Sequence, residues 1–563
     1  MRRSPRPPCL LALLALVVSQ TTQAQTPTDA GRLLQQQDES RKPVAPPPRS
    51  APLQAKPAEA LRLQAGTQVW VKQFELLGNQ LIDSARLQAE LAPFTARSLS
   101  LAELQAATAR VSEVYARDGW LVRCYLPPQD VTDGLIRLQI VEARFGGARV
   151  EGETRRFEAA RALVEAQQTV GAPLRLPALD RALLLLDDLP GLSVGGSLAA
   201  GEREGDTLLV LRLTDTPLFS GEAGLDNGGA RSTGTARLNA SLGLNSLFGR
   251  GDLLGASLSH SRGSDYLRLS ASLPVGAKGW RVGTQVSAMR YRLVGSEFEA
   301  LQASGSSQTW GFNASFPLLR GRTSNLMLQL GAEQRRFDNR ANGAVTTRYD
   351  STQVSAGLSG NRFDDWGGGG VNQAGLIISR GRLDLGRSPG FAADAQSTRS
   401  HGGYGKLRYN LSREQRLSGE LSAYLGLIGQ WSGDNLDSSE KFYLGGADGV
   451  RAYPASEAGG RSGQLITAEL RTQFGGAWRA SAFYDWGQVS INARNDFVGA
   501  PQLNRYALKG AGLSLAWSGP RALELRASLA RRIGTNPGAS ANGRDQDGSL
   551  HRNRLWLQAS LPF

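Results

Sequence analysis

Few residues in this chain have the type and spacing for chemistry. Its three histidines, His260, His401 and His551, fall in or beside segments that read as loops, and none stands in a His-Glu-x-x-His or Ser/His/Asp setting. No Gly-x-x-x-x-Gly-Lys loop is present to cradle a phosphate, and nothing calls for a cofactor or a metal. The candidate that remains is an arginine and a carboxylate. Arg451 stands in Leu-Gly-Gly-Ala-Asp-Gly-Val-Arg-Ala-Tyr-Pro (444–454), a run too rich in glycine to continue a helix or a central strand. Asp485 stands in Phe-Tyr-Asp-Trp-Gly (483–487). A guanidinium can grip a carboxylate with two parallel hydrogen bonds, so such a pair fixes a loop against a wall if the fold brings the two together. The competing reading is a solvated surface arginine.

The elements that position them come from the alternation of residue types. From about Leu218 to Phe563 the pattern has period two. Leu555, Leu557, Ala559, Leu561 and Phe563 alternate with Arg554, Trp556, Gln558 and Ser560, and Ile466, Ala468 and Leu470 alternate with Thr467, Glu469 and Arg471. The segment yields roughly sixteen strands, beginning near 219, 233, 252, 265, 279, 307, 323, 350, 370, 401, 416, 462, 478, 506, 521 and 554. Tight turns such as Phe248–Gly251, Leu319–Arg322 and Ser518–Pro520 take turns with mostly longer polar links, which is the pattern of a transmembrane antiparallel β-barrel. The apolar set then faces lipid and the charged set lines a hydrated lumen. This accounts for a net charge of +14 spread as single arginines, without a nucleic-acid partner. In 478–487, Trp478, Ala480, Ala482, Tyr484 and Trp486 take the lipid side, so Phe483 and Asp485 face the lumen. The link carrying Arg451 spans about 432–461; folded inward, it would let Arg451 reach Asp485.

The N-terminal third is organised differently. Residues 1–24 read as a signal peptide: Arg2, Arg3 and Arg6 precede an apolar run, and Thr22-Gln23-Ala24 offers a cleavage site. After its removal Cys124 is the only cysteine, more fitted to packing than to reaction. A polar helical stretch over 25–42, a candidate plug, is followed by a Pro-rich linker over 43–68. Residues 69–146 and 147–217 then repeat one plan, β-α-α-β-β. Asp364, Asp365 and Gly367–Gly370 read as a turn rather than a metal loop, and Asp448 as a local shaper of the 444–454 tip.

These residues carry a resemblance. The βααββ pair is similar to polypeptide-transport-associated (POTRA) domains. Gly-Asn-Gln-Leu-Ile-Asp-Ser-Ala-Arg-Leu (78–87), the segment 115–134 and Leu-Asp-Arg-Ala-Leu-Leu-Leu-Leu-Asp-Asp-Leu-Pro-Gly (179–191) resemble signatures of the two-partner secretion transporters, exporters of haemolysins and haemagglutinins. Gly449, Val450, Arg451, Ala452 and Tyr453 resemble that family's loop tip, with Ala452 where a glycine is usual; Phe483, Asp485 and Gly487 resemble its lumen-wall motif. The resemblance implies an outer-membrane translocator with its POTRA domains in the periplasm. Its expected partners are a large unfolded exoprotein, membrane lipid and, through the terminal Phe563, the barrel-assembly machinery. A barrel insertase and a passive porin are the alternatives; an enzyme is disfavoured because no catalytic setting is found.

Overall fold

The computed structural model describes residues 28–39, 68–151 and 157–563. The signal peptide, nearly all of the Pro-rich linker and the first residues of the helix expected near 155 lie outside the described residues.

The first N-terminal unit opens with strands Gln68–Val71 and Gln73–Leu77 where the alternation suggests one. The ladder breaks because the backbone N–H groups of Lys72 and Gln73 both donate to the Gly134 carbonyl, at 2.7 and 3.3 Å. Gln68–Val71 pairs instead with Arg97–Ser100, a strand of four residues too short to show a period, while Gln73–Leu77 runs parallel to Leu135–Glu142. Helix Leu101–Arg117 starts at a capping box, in which Ser100 and Glu103 satisfy each other's backbone N–H. It buries Leu104, Ala107, Val111 and Val114, spaced along one face, against Phe74, Leu87, Leu91 and Leu138.

The second unit places strand Arg144–Glu151 parallel to Asp206–Asp215 and strand Leu192–Ala200 antiparallel to it, under helices Phe157–Gln167 and Leu176–Asp187. Its sheet leaves Leu192–Ala200 as a free edge. Leu179, Ala182, Leu183 and Leu186 of the second helix fill the core.

Sixteen strands from Phe219–Asp226 to Asn553–Pro562 close into an antiparallel barrel, with Glu222–Asp226 of the first strand pairing Gln558–Pro562 of the last. Closure leaves no edge, so every backbone group in the hydrocarbon is paired. Strands expected near 233, 307 and 350 start at Arg237, Ser304 and Ala344. Ala344–Asp364 runs to 21 residues, about twice what crosses the bilayer. Connections at the end facing the two N-terminal units are turns; at the other end stand the long loops.

The second unit is bolted to the turn end. Arg320 holds Asp188 with two hydrogen bonds of 2.8 Å, and Arg322 holds Asp180 at 2.6 and 3.1 Å. Arg181 also donates to the Pro317 carbonyl at 2.6 Å.

Candidate functional site

The loop between Ser432 and Ser462 turns into the lumen and is narrowed at its neck by the short pair Phe442–Tyr443 and Gly459–Gly460. Its tip packs on the wall. Val450, Ala452 and Tyr453 are fully buried in one apolar cluster with Leu444, Phe483, Val489 and Leu508. Glycines permit the approach. A Cβ at Gly487 would lie 2.6 Å from Leu444 and 3.1 Å from Val450, and one at Gly449 would run into the Leu444 carbonyl. Ala452 sits against a glycine of the wall, Gly510.

Arg451 is thereby delivered to Asp485. Its Nε donates to one carboxylate oxygen at 2.9 Å and its terminal nitrogen to the other at 2.7 Å, while the backbone N–H of Arg451 adds a bond of 3.1 Å. Thr467, directly across the ladder, donates to Asp485 at 3.2 Å. Asp485 is fully buried, and these four donors replace its lost water. The guanidinium lies over the Phe483 ring, 3.4 Å from its centroid.

Two partners were not foreseen from the sequence. Glu469 faces Phe483 across the ladder and reaches the other terminal nitrogen of Arg451 at 2.9 Å. Trp556, on the last strand, donates its indole N–H to the Arg451 carbonyl at 2.7 Å. Both belong to the lumen-facing set of the alternation, so the parity was visible; the register that aligns them was not. Arg471 donates to Glu469 at 2.8 Å and to Glu414 at 3.0 Å, which extends the cluster along the lumen wall.

The helix Ala30–Glu39, here α1, lies in the lumen on the loop-rich side. Leu33 and Leu34 pack with Tyr291, Phe337, Tyr349 and Leu383 of the wall. Arg32 donates to the Ser456 carbonyl of the inward loop at 2.5 Å, Ser438 of that loop donates to Asp29 at 2.9 Å, and Asp38 meets Arg335 of the wall at 3.2 Å. Between the clamp and the turn end remains a cavity of about 1620 Å³, bordered by Arg451, Glu469, Arg471 and Trp556.

The other singled-out residues lie elsewhere. His260 sits beside Asp265 on the outer face, His401 accepts from the Leu385 N–H, and His551 lies in the last long loop. Asp364, at the entry to a tight turn, is gripped at 2.8 and 2.9 Å by Arg413 of the next strand but one. Among the described residues no group of three or more His, Cys, Asp or Glu is placed to hold a metal ion.

With this geometry in hand, comparison with known proteins identifies the architecture. Residues 205–515 match the haemolysin secretion/activation protein ShlB/FhaC/HecB family, and residues 69–143 match the ShlB-type POTRA domain. The heme/hemopexin transporter protein HuxB of Haemophilus influenzae is 26% identical over 484 residues, 83% of this chain and 84% of that one. The outer membrane transporter CdiB of Dickeya dadantii is 27% identical over 397 residues, 69% of this chain and 68% of its own. The solved structure of CdiB from Escherichia coli superposes with a TM-score of 0.69 at 21% identity, covering 92% of this chain and 94% of that one. The chain belongs to the ShlB/FhaC/HecB family: it is an outer-membrane barrel with periplasmic POTRA domains, of the kind that serves two-partner secretion.

Proposed function

We propose that this chain captures one large unfolded exoprotein with its POTRA domains and passes it through the barrel to the cell exterior. The observation that carries the reading is the inward loop: its tip is clamped to the wall by Arg451 and Asp485, beside a polar cavity that opens toward the docked POTRA unit. On a passive pore the two N-terminal units would be idle. An extended segment of the exoprotein pairs with the free edge Leu192–Ala200, where main-chain hydrogen bonds supply affinity without demanding a sequence. The Arg320–Asp188 and Arg322–Asp180 pairs hold that edge at the barrel mouth. Release of the clamp and of α1 then opens the lumen, and folding of the exported chain outside draws it forward. The terminal Phe563 serves as the handle for the barrel-assembly machinery in the same scheme.

The test is site-specific photocrosslinking from Ser197, which lies exposed on the free edge, in cells that export the partner. Crosslinks to the exoprotein are expected. Their absence, with crosslinks instead to a range of nascent barrels, would overturn the reading in favour of an insertase.

A further inference from the structure

The outer face of the barrel carries a basic belt at one height and on one side. Tyr291, Phe337, Tyr349 and Leu383 point into the lumen against α1, so the residues alternating with them point outward. Those are Arg290 and Arg292, Arg336, and Arg380 and Arg382, all exposed. They sit on strands Trp280–Arg292, Ser324–Ala341 and Gly370–Asp384, near the ends away from the N-terminal units.

The belt begins where the apolar band stops. Outward-facing Trp310 and Trp431 mark the upper interface; Trp310 pairs across the ladder with Gln334, and Trp431 with Leu407, which pairs in turn with Ile378. Arg336 and Arg380 stand one outward position beyond Gln334 and Ile378. Two residues of strand rise about 6–7 Å, and tilt reduces this to about 5 Å along the membrane normal. That sets Arg336 and Arg380 just above the apolar band, with Arg382 one outward position further on the same strand and Arg290 and Arg292 successive outward positions at the end of theirs.

The belt's own carboxylates do not neutralise it. Asp350 is shared between Arg336 and Arg387 at 3.1 and 2.5 Å, and Asp338 between Arg340 and Arg348 at 2.8 and 2.6 Å. Asp265 lies across the ladder from Arg290 but meets His260, at 2.6 Å, and Asp384 lies 3.9 Å from His401. Arg290, Arg292, Arg380 and Arg382 make no ion pair within 4.0 Å among the described residues. Directly below lie Leu330, Val354, Leu376 and Ile378, exposed and outward-facing, a surface for acyl chains.

We propose that this belt is a binding site for the phosphorylated, multiply acylated glycolipid of the outer leaflet, with its phosphates held by Arg290, Arg292, Arg380 and Arg382 and its chains lying on the apolar band beneath. Guanidiniums suit this task because each offers a planar fork to a phosphate and stays charged. The opposite side of the barrel has fewer outward cations at this end, Lys509 and Arg531 among them, and provides an internal control.

The experiment uses the full chain in nanodiscs with bis-phosphorylated lipid A as probe, binding being read by native mass spectrometry. Three forms are compared: wild type, Arg290→Gln/Arg292→Gln/Arg380→Gln/Arg382→Gln, and Lys509→Gln/Arg531→Gln, each first shown to be folded by heat-modifiable migration. The belt variant is expected to lose at least about tenfold in affinity, with the control variant unchanged and lysine in place of all four arginines restoring only part of it, since the charge returns without the fork. Equal binding by the belt variant, or equal competition by phosphatidylglycerol, would overturn the proposal. So would loss of exoprotein secretion with lipid A binding intact, since the belt would then serve a protein.

Discussion

The methyl group of Ala452 rests against the backbone of Gly510: a Cβ built on that glycine would stand only 2.6 Å from the Ala452 Cβ. The contact explains how this chain keeps a tight tip-to-wall approach while carrying alanine at 452. The wall, rather than the tip, is bare. Gly510→Ala is expected to destabilise the folded barrel by about 1–3 kcal/mol through overpacking, and adding Ala452→Gly is expected to recover most of the loss. Heat-modifiable electrophoresis over a temperature series measures both; a double variant as weak as the single would show that the two positions do not touch.

The pairs Arg320–Asp188 and Arg322–Asp180 fix the second N-terminal unit on the barrel. Arg320 is almost fully buried, so removing its carboxylate strands a desolvated cation, whereas the second pair is partly exposed and worth less. With spin labels at Ser193 and Ser418, Asp188→Ala is expected to broaden the distance distribution markedly and Asp180→Ala only slightly, with the barrel unaffected. An equally narrow distribution in all three proteins would mean that shape alone holds the unit.

Cys124 lies half-buried behind the Leu101–Arg117 helix, and burial pushes its thiol above the usual range. The thiolate is the reactive form, so maleimide labelling at pH 7 is expected to be at least about tenfold slower in the folded protein than in urea. Equal rates would place the thiol in open solvent.

Glu103 is held below the usual carboxylate range, first by the Ser100 backbone N–H and then by the Ser100 hydroxyl. A lowered folded-state pKa means that the charged form stabilises the helix start. That contribution is fully present above about pH 4.3, the unfolded value, and is lost as pH falls through the lower folded one. Hydrogen exchange, corrected for intrinsic rate, is expected to show constant protection of the Ser100 N–H between pH 8 and 5 and a drop below about pH 4. In Glu103→Gln the drop should vanish; a pH-dependence that survives the substitution would assign it to another group.

How much of this was legible in the sequence differs from element to element. The alternations Ile466–Phe474 against Thr467–Gln473 and Trp478–Trp486 against Arg479–Asp485 were enough to face Glu469 and Asp485 into one lumen, because a closed barrel in lipid leaves a strand no other arrangement. The glycine-rich run around Arg451 marked a shaped loop. What the alternation does not hold is register across non-neighbouring strands: Trp556 lies about a hundred positions from Arg451, and only the summed register of the last four strands brings it to the tip. The basic belt was hidden for a related reason. Arg290, Arg336 and Arg380 each look like ordinary end-of-strand charges, and only the staggered register sets them at one height.

The Arg451–Asp485 clamp is also unequal in its two halves. Arg451 retains Glu469 if Asp485 is removed, but among the described residues Asp485 has no other cation if Arg451 is removed. Arg451→Ala is therefore expected to cost the assembled loop about 3–5 kcal/mol, Asp485→Ala less, and the double substitution no more than Arg451→Ala alone.

The most direct test of the central claim is secretion of the cognate exoprotein by wild type, Arg451→Ala, Asp485→Ala and the double variant, with folded barrel in the outer membrane quantified in parallel. Abolished secretion in both single variants, with the barrel assembled and the double no worse, is the predicted result. Undiminished secretion in all three would contradict the account and leave the clamp a structural contact without a part in export.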